Sequence, residues 1–282
     1  PFHSSTEGTS NVGRLRNIST VFMALALWLA TAAPALSDYT DALVAYRQGD
    51  FATAVREFRT VAEQGNVYAQ FRLGLMYGAG LGVPQDNSKA LKWYRKAAEQ
   101  GHATAQYNLG IGYRNGNGAT QDYAEALRWF RKAANQGLAD AQTGLGDLYE
   151  NGLGVTQDSA EAVKWYRTAA NQGFAIAQFY LGWMYFHGTR VTQDHAAAVK
   201  WYRKAAEQEH AGAQGALGAQ YEFGQGVPQS YAEAYFWYSL AAAHGDKEVA
   251  KFRDQTAAKL TSSQIAELQQ RTVEWRPRKP KT

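Results

Sequence analysis

The chain has 282 residues, 45% of them hydrophobic, 13% aromatic and 19% charged, which is the composition of a folded protein and not of a disordered one. It contains no cysteine, which excludes disulfides, thiolate metal sites and a cysteine nucleophile. The net charge of +4 sits at the ends: residues 36–275 hold 23 basic and 24 acidic groups, so the body lacks the basic footprint of a nucleic-acid binder.

Residues 1–37 read as an N-terminal extension and signal peptide. Arg14 and Arg16 precede an apolar run from Val21 to Ala33, and small residues follow at Ala33 and Ala35. A positive end, a short apolar core and small residues at the cleavage position describe a secretory signal, cut near Ala35 or Ser37. The run is short against the roughly 20 apolar residues of a bilayer span. The expected location is periplasmic or secreted. The alternative is an uncleaved segment anchored in the inner membrane, which would then be the chain's one membrane contact.

Residues 38–65 read as an opening helical unit with a turn at Gly49-Asp50-Phe51 and a core of Ala45, Tyr46, Ala54, Phe58 and Ala62. From there a glycine returns every 36 residues, at Gly80, Gly116, Gly152, Gly188 and Gly224. A fixed period of this length marks a repeat array. Five units align without gaps: 66–101, 102–137, 138–173, 174–209 and 210–245.

Each unit predicts helix, glycine loop, helix. In the first helix, Ala, Leu and Tyr recur with i, i+4, i+8 spacing, as in Ala69, Leu73 and Tyr77, which puts them on one face. A glycine follows the leucine in every unit (Gly74, Gly110, Gly146, Gly182, Gly218). Glycine inside a helix costs roughly 1 kcal/mol against alanine, so its recurrence predicts a close helix approach that a side chain would block. The second helix opens on Asp122/Glu125, Asp158/Glu161 or Ser230/Glu233, the spacing of a capping box. Its buried stripe is read as alanines with Trp93, Trp129, Trp165, Trp201 and Trp237, and it closes on Gly101, Gly137, Gly173 or Gly245 as a left-handed cap. Unit 174–209 departs twice, with Arg190 in place of the second loop glycine and Glu209 in place of the closing one. Residues 246–275 read as one or two closing helices, with a start signal from Thr261 to Gln264, and 276–282 as a basic disordered tail.

The pattern Ala…Leu-Gly-x-x-Tyr-x-x-Gly-x-Gly-Val-x-x-Asp…Ala…Trp-Tyr-x-x-Ala-Ala-x-x-Gly, met almost in full by 138–173, resembles the Sel1-like repeat family, a relative of the tetratricopeptide repeat. The resemblance covers 66–245, and the opening segment is similar to a plain tetratricopeptide unit. It implies an all-α fold, a right-handed superhelical solenoid with the first helices lining the concave side. It also implies an adaptor or scaffold for protein complexes. Several exported bacterial members of the family serve envelope or exopolysaccharide assembly, or contact with a host. The disulfide-stapled exported branch linked to β-lactam binding is not resembled, since cysteine is lacking.

Positions that vary between repeats are not fixed by stacking. On the first helix three of them form a second face: Phe71, Leu75 and Gly78; Tyr107, Ile111 and Arg114; Thr143, Asp147 and Glu150; Phe179, Trp183 and Phe186; Gly215, Ala219 and Glu222. Phe179, Trp183 and Phe186 lie in line with Tyr180 beside them, an apolar cluster at expected surface positions. Together with Phe71, Leu75, Tyr107 and Ile111 they are the expected partner-binding residues, suited to a peptide or to a sugar ring. The other reading has them packing on a neighbouring helix or on a second copy.

No catalytic constellation, cofactor motif or metal spacing is legible. His187 and His195 lie across one loop, but no H-E-x-x-H or zinc spacing accompanies them. The glycine-rich Gly78–Gly82 stretch joins two helices and lacks the lysine of a phosphate loop. The expected function is therefore a non-enzymatic scaffold for a protein partner, without cofactor or nucleic acid. The alternative is an envelope glycan (peptidoglycan or exopolysaccharide) binder or weak hydrolase.

Overall fold

The computed structural model describes residues 39–189 and 191–278, so the signal-peptide reading, Arg190 and the end of the basic tail lie outside the described residues. Every regular element among the described residues is a helix. They fall into two compact units that divide between Ala105 and Gln106.

The N-terminal unit holds α1 (39–47), α2 (Phe51–Glu63), α3 (Val67–Ala79) and α4 (Asn87–Glu99), and it ends in the first turn of α5 (Ala103–Asn115). Its core is built by Phe58, Leu73 and Met76, with Ala45, Ala54 and Ala62 buried around them. Tyr46 is half-buried, edge-on to Phe51 and Phe58.

The C-terminal unit holds the rest of α5 and then α6 (Tyr123–Asn135), α7 (Ala139–Asn151), α8 (Ser159–Asn171), α9 (Ala175–His187), α10 (His195–Ala206), α11 (Ala211–Phe223), α12 (Tyr231–Ala242), α13 (Lys247–Ala257) and α14 (Ser262–Glu274). From α6 to α13 each helix packs on the next, which makes this unit a solenoid of helix pairs. Leu145, Leu148, Leu181, Met184 and Leu217 are sealed between neighbouring helices.

The expected helix approach is present. In α9, a Cβ on Gly182 would stand 2.7 Å from the Tyr202 ring of α10, and Gly110, Gly146 and Gly218 meet Phe130, Tyr166 and Tyr238 in the same way. The ring against each glycine is thus the residue after the repeating tryptophan. This corrects the stripe as read from sequence. Trp129 and Trp237 are buried, but Trp93, Trp165 and Trp201 are half-buried. Lys96 and Lys204 lie over Trp93 and Trp201 at 4.2 and 4.0 Å from the ring centres.

The capping aspartates work as expected: Asp122, Asp158 and Asp194 accept from the backbone N–H three residues on. The reciprocal half of the box is seen only at Thr261–Gln264 among the described residues. Elsewhere the glutamate is taken by a cation: Glu125 by Arg128, Glu161 by Lys164, and Glu233 by Arg271.

Two side-chain ladders tie the repeats together. Gln172 Nε2 donates to Gln142 Oε1 at 2.7 Å, while Gln142 Nε2 donates to the Ala134 carbonyl. The same pair recurs as Gln100–Gln70, Gln136–Gln106 and Gln208–Gln178. The arginines Arg59, Arg131, Arg167 and Arg203 donate to the tyrosine hydroxyl 18 residues ahead.

Beyond the repeats, α12 is buried on all sides (Tyr235, Phe236, Trp237, Tyr238), because α13 and α14 cover the face that α11 leaves open. In the closing segment Leu268 is buried, and Leu260, Ile265 and Trp275 pack partly against the core. Phe252 stays exposed.

Candidate functional site

The geometry of α9 follows from what pins it. Ala177, Leu181 and Met184 are buried, and Gly182 lies against Tyr202. That leaves residues 176, 180, 183 and 187 exposed, while Phe179 and Phe186 are half-buried and pack partly against the core. Tyr180 and Trp183 keep 39% and 40% of their surface in solvent, a large exposure for rings of this size.

These aromatics divide between two hollows. Phe179, Trp183 and Phe186 line one of about 570 Å³, together with His187 of the same helix and with Ala216 and Phe223 of α11. Phe179 is stacked on His210 with ring centres 4.8 Å apart, and Trp183 leans on His187 at 4.3 Å. Phe186 stands between His187 and His195, at 4.9 and 5.0 Å from each.

Tyr180 does lie beside Phe179, with ring centres 5.8 Å apart, but it borders a different hollow. It stacks on Tyr166 at 5.2 Å and closes a smaller hollow of about 180 Å³ with Tyr107, Ile111, Arg114, Asp140 and Asp147. There Arg114 pairs with Asp147 at 2.6 Å. A third hollow, of about 360 Å³, follows α11. Small residues at the variable positions, Gly215 and Ala219, open it, and Glu222, Phe223 and Asp246 border it.

Phe71 and Leu75 belong to the N-terminal unit. Phe71 is stacked on His102 at 4.5 Å, the same arrangement as Phe179 on His210, and both residues are half-buried. So Phe71, Phe179, Tyr180 and Phe186 pack partly on neighbouring helices, as the alternative reading has it, while Trp183 leans on His187 of its own helix.

The sequence reading missed Phe223, which is 67% exposed on the shared rim of two hollows. Its repeat equivalents are Ala79, Asn115, Asn151 and His187, so only the contrast with those small and polar residues marks it.

The titratable groups bear little chemistry. Burial pushes the hydroxyls of Tyr166, Tyr202 and Tyr238 well above the ordinary tyrosine range, so they stay protonated at neutral pH. Burial lowers His102 and His210, and each spends Nδ1 as a helix cap, accepting from Ala105 and Ala213. The Phe186 ring separates His187 from His195, and no group of three His, Cys, Asp or Glu among the described residues is placed to hold a metal. Nor is any helix among them long and apolar enough to cross a membrane.

The Sel1 repeat pattern matches residues 67–102, 103–138, 139–174, 175–210 and 211–246. No curated protein matches the chain significantly. Among the solved structures similar to it are two Sel1 repeat proteins. One is c5321, described as a protective antigen of uropathogenic Escherichia coli with an SLR fold. It is 36% identical with a TM-score of 0.76, and the match covers 88% of this chain and 56% of that one. The present chain thus spans little more than half the length of that neighbour. The other is a Sel1 repeat protein from Oxalobacter formigenes, 36% identical with a TM-score of 0.70, covering 76% of this chain and 88% of that one. The chain belongs to the Sel1 repeat family, whose members generally mediate protein–protein interactions.

Proposed function

We propose that this protein is a non-enzymatic interaction scaffold of the cell envelope, which holds a protein partner on the face formed by the variable positions of the first helices. One observation carries the reading: Trp183, two-fifths exposed, stands with Phe179 and Phe186 around an open apolar hollow of about 570 Å³. Large rings at such a rim serve as anchors for a partner side chain. Export to the periplasm or beyond is inferred from the basic, apolar and small-residue order of residues 14–35. It suits the description of c5321 as a protective antigen. In this assignment 66–245 carry the partner, 38–65 and 246–275 are the terminal units, and 276–282 is a basic tail, whose Arg278 is not free as expected of a disordered end but bonded to Glu207.

A second reading, an envelope glycan in the same place, is favoured by the exposed rings of Tyr180 and Trp183, which have the flat apolar faces that sugars stack on. Affinity purification from envelope extract separates the two. The wild-type chain is expected to retain a defined protein, and Phe179→Ala with Trp183→Ala to lose it while the helical signal is unchanged. Retention of the same protein by the folded double variant would sink the proposal.

A further inference from the structure

The three hollows differ in charge, and the difference has one sign. Arg114 is the only cation bordering any of them, and Asp147 neutralises it at 2.6 Å. The carboxylates left over are Asp140 beside Tyr107 and Tyr180, and Glu222 and Asp246 beside Phe223. None of these three forms an ion pair among the described residues. Glu222 accepts from the Tyr238 hydroxyl, and Asp246 caps α13. The middle hollow, with Phe179, Trp183 and Phe186, is bordered by no Asp, Glu, Lys or Arg. Within the described repeats of the C-terminal unit, the lysines and arginines other than Arg114 stand on the second helices, several of them over tryptophan rings or against tyrosine hydroxyls.

We infer that the occupant of this face is an extended peptide segment of a partner protein in which apolar side chains are flanked by lysine or arginine. The apolar side chains fill the uncharged hollow between Trp183 and Phe223. The flanking cations reach the acidic rims at Asp140 and at Glu222 with Asp246, and the exposed faces of Tyr180 and Trp183 add cation–π attraction for the same charges. An acidic segment would meet unpaired carboxylates at both ends and bury charge without compensation. The inference rests on the reading of this face as a protein-binding surface and adds the chemistry of what binds.

Selection of a random nine-residue phage-displayed peptide library on the full chain tests it. The expected outcome is enrichment of peptides that carry both apolar residues and Lys or Arg. Their affinity should fall about ten-fold in Trp183→Ala. It should fall several-fold in Asp140→Lys, with the loss shrinking as salt rises. Apolar peptides without a charge bias, lost equally in Trp183→Ala, would overturn the charge inference and leave the protein-binding face standing. Binding unmoved by Trp183→Ala in a folded variant, or no enrichment at all, would overturn both. Displacement of the selected peptides by soluble peptidoglycan fragments would overturn the peptide assignment in favour of a glycan, and enrichment of peptides resembling residues 275–282 would point to a second copy of this chain.

Discussion

At position 209 an L-residue stands where the other repeats have glycine. Glu209 takes φ +65°, while Gly101, Gly137, Gly173 and Gly245 sit at +90° to +92°. A side chain in the left-handed region costs roughly 1 kcal/mol, so Glu209→Gly should stabilise the protein by about that much, read as a higher denaturation midpoint. The glycine inside α9 should respond in the opposite direction. Gly182→Ala gains helix propensity but forces a Cβ to 2.7 Å from Tyr202, and overpacking of this kind costs about 1–3 kcal/mol. The histidine caps add a pH dependence. His102 and His210 have folded-state values lowered from 6.5 by burial, so the neutral form is favoured in the folded state. Their stabilisation is complete above pH 6.5 and is lost as pH falls below it towards the lowered values. Urea unfolding at about pH 5 and about pH 7.5 should show a smaller drop for His102→Asn with His210→Asn, because asparagine caps at either pH, as Asn66 does in the first repeat. An equal drop in the wild type and the double variant would refute the assignment.

At the scale of the element, the helices, their caps and their glycine contacts were legible in the sequence because each is a local pattern repeated at a fixed spacing. What was not legible is set by partners elsewhere in the chain. The pairing of Gln142 with Gln172 joins residues 30 apart, and only the recurrence of both glutamines hints at it. The ladder also shows where it stops. Gln214 Oε1 is buried without a partner, and the position that would supply the donor is His244. Loss of one partner from a buried pair costs about 1–3 kcal/mol, so Gln172→Ala should destabilise within that range. His244→Gln, restoring the missing donor, should stabilise by about 0.5–1.5 kcal/mol. Calorimetric or denaturant midpoints of the two variants check both. The all-round burial of α12 was equally hidden, since it depends on α14, which arrives from the far side of α13. The direction of the aromatics on α9 was partly legible: the variable positions marked them as outward, but nothing in the spacing told that Tyr180 faces one hollow and Trp183 the next.

At the scale of the molecule, the repeat period accounts for the family and for the solenoid of the C-terminal unit, while the residues that escape the period account for the proposed function. The central claim is that a protein partner sits at Trp183. A photo-reactive phenylalanine placed at residue 183 of the full-length chain, irradiated in living cells, tests it most directly. A second chain carries the same group at Lys200, exposed on α10, as the control surface. The account predicts a discrete protein adduct from position 183 that is lacking from position 200. The same adducts from both positions, or material from position 183 that is glycan and not protein, would contradict it.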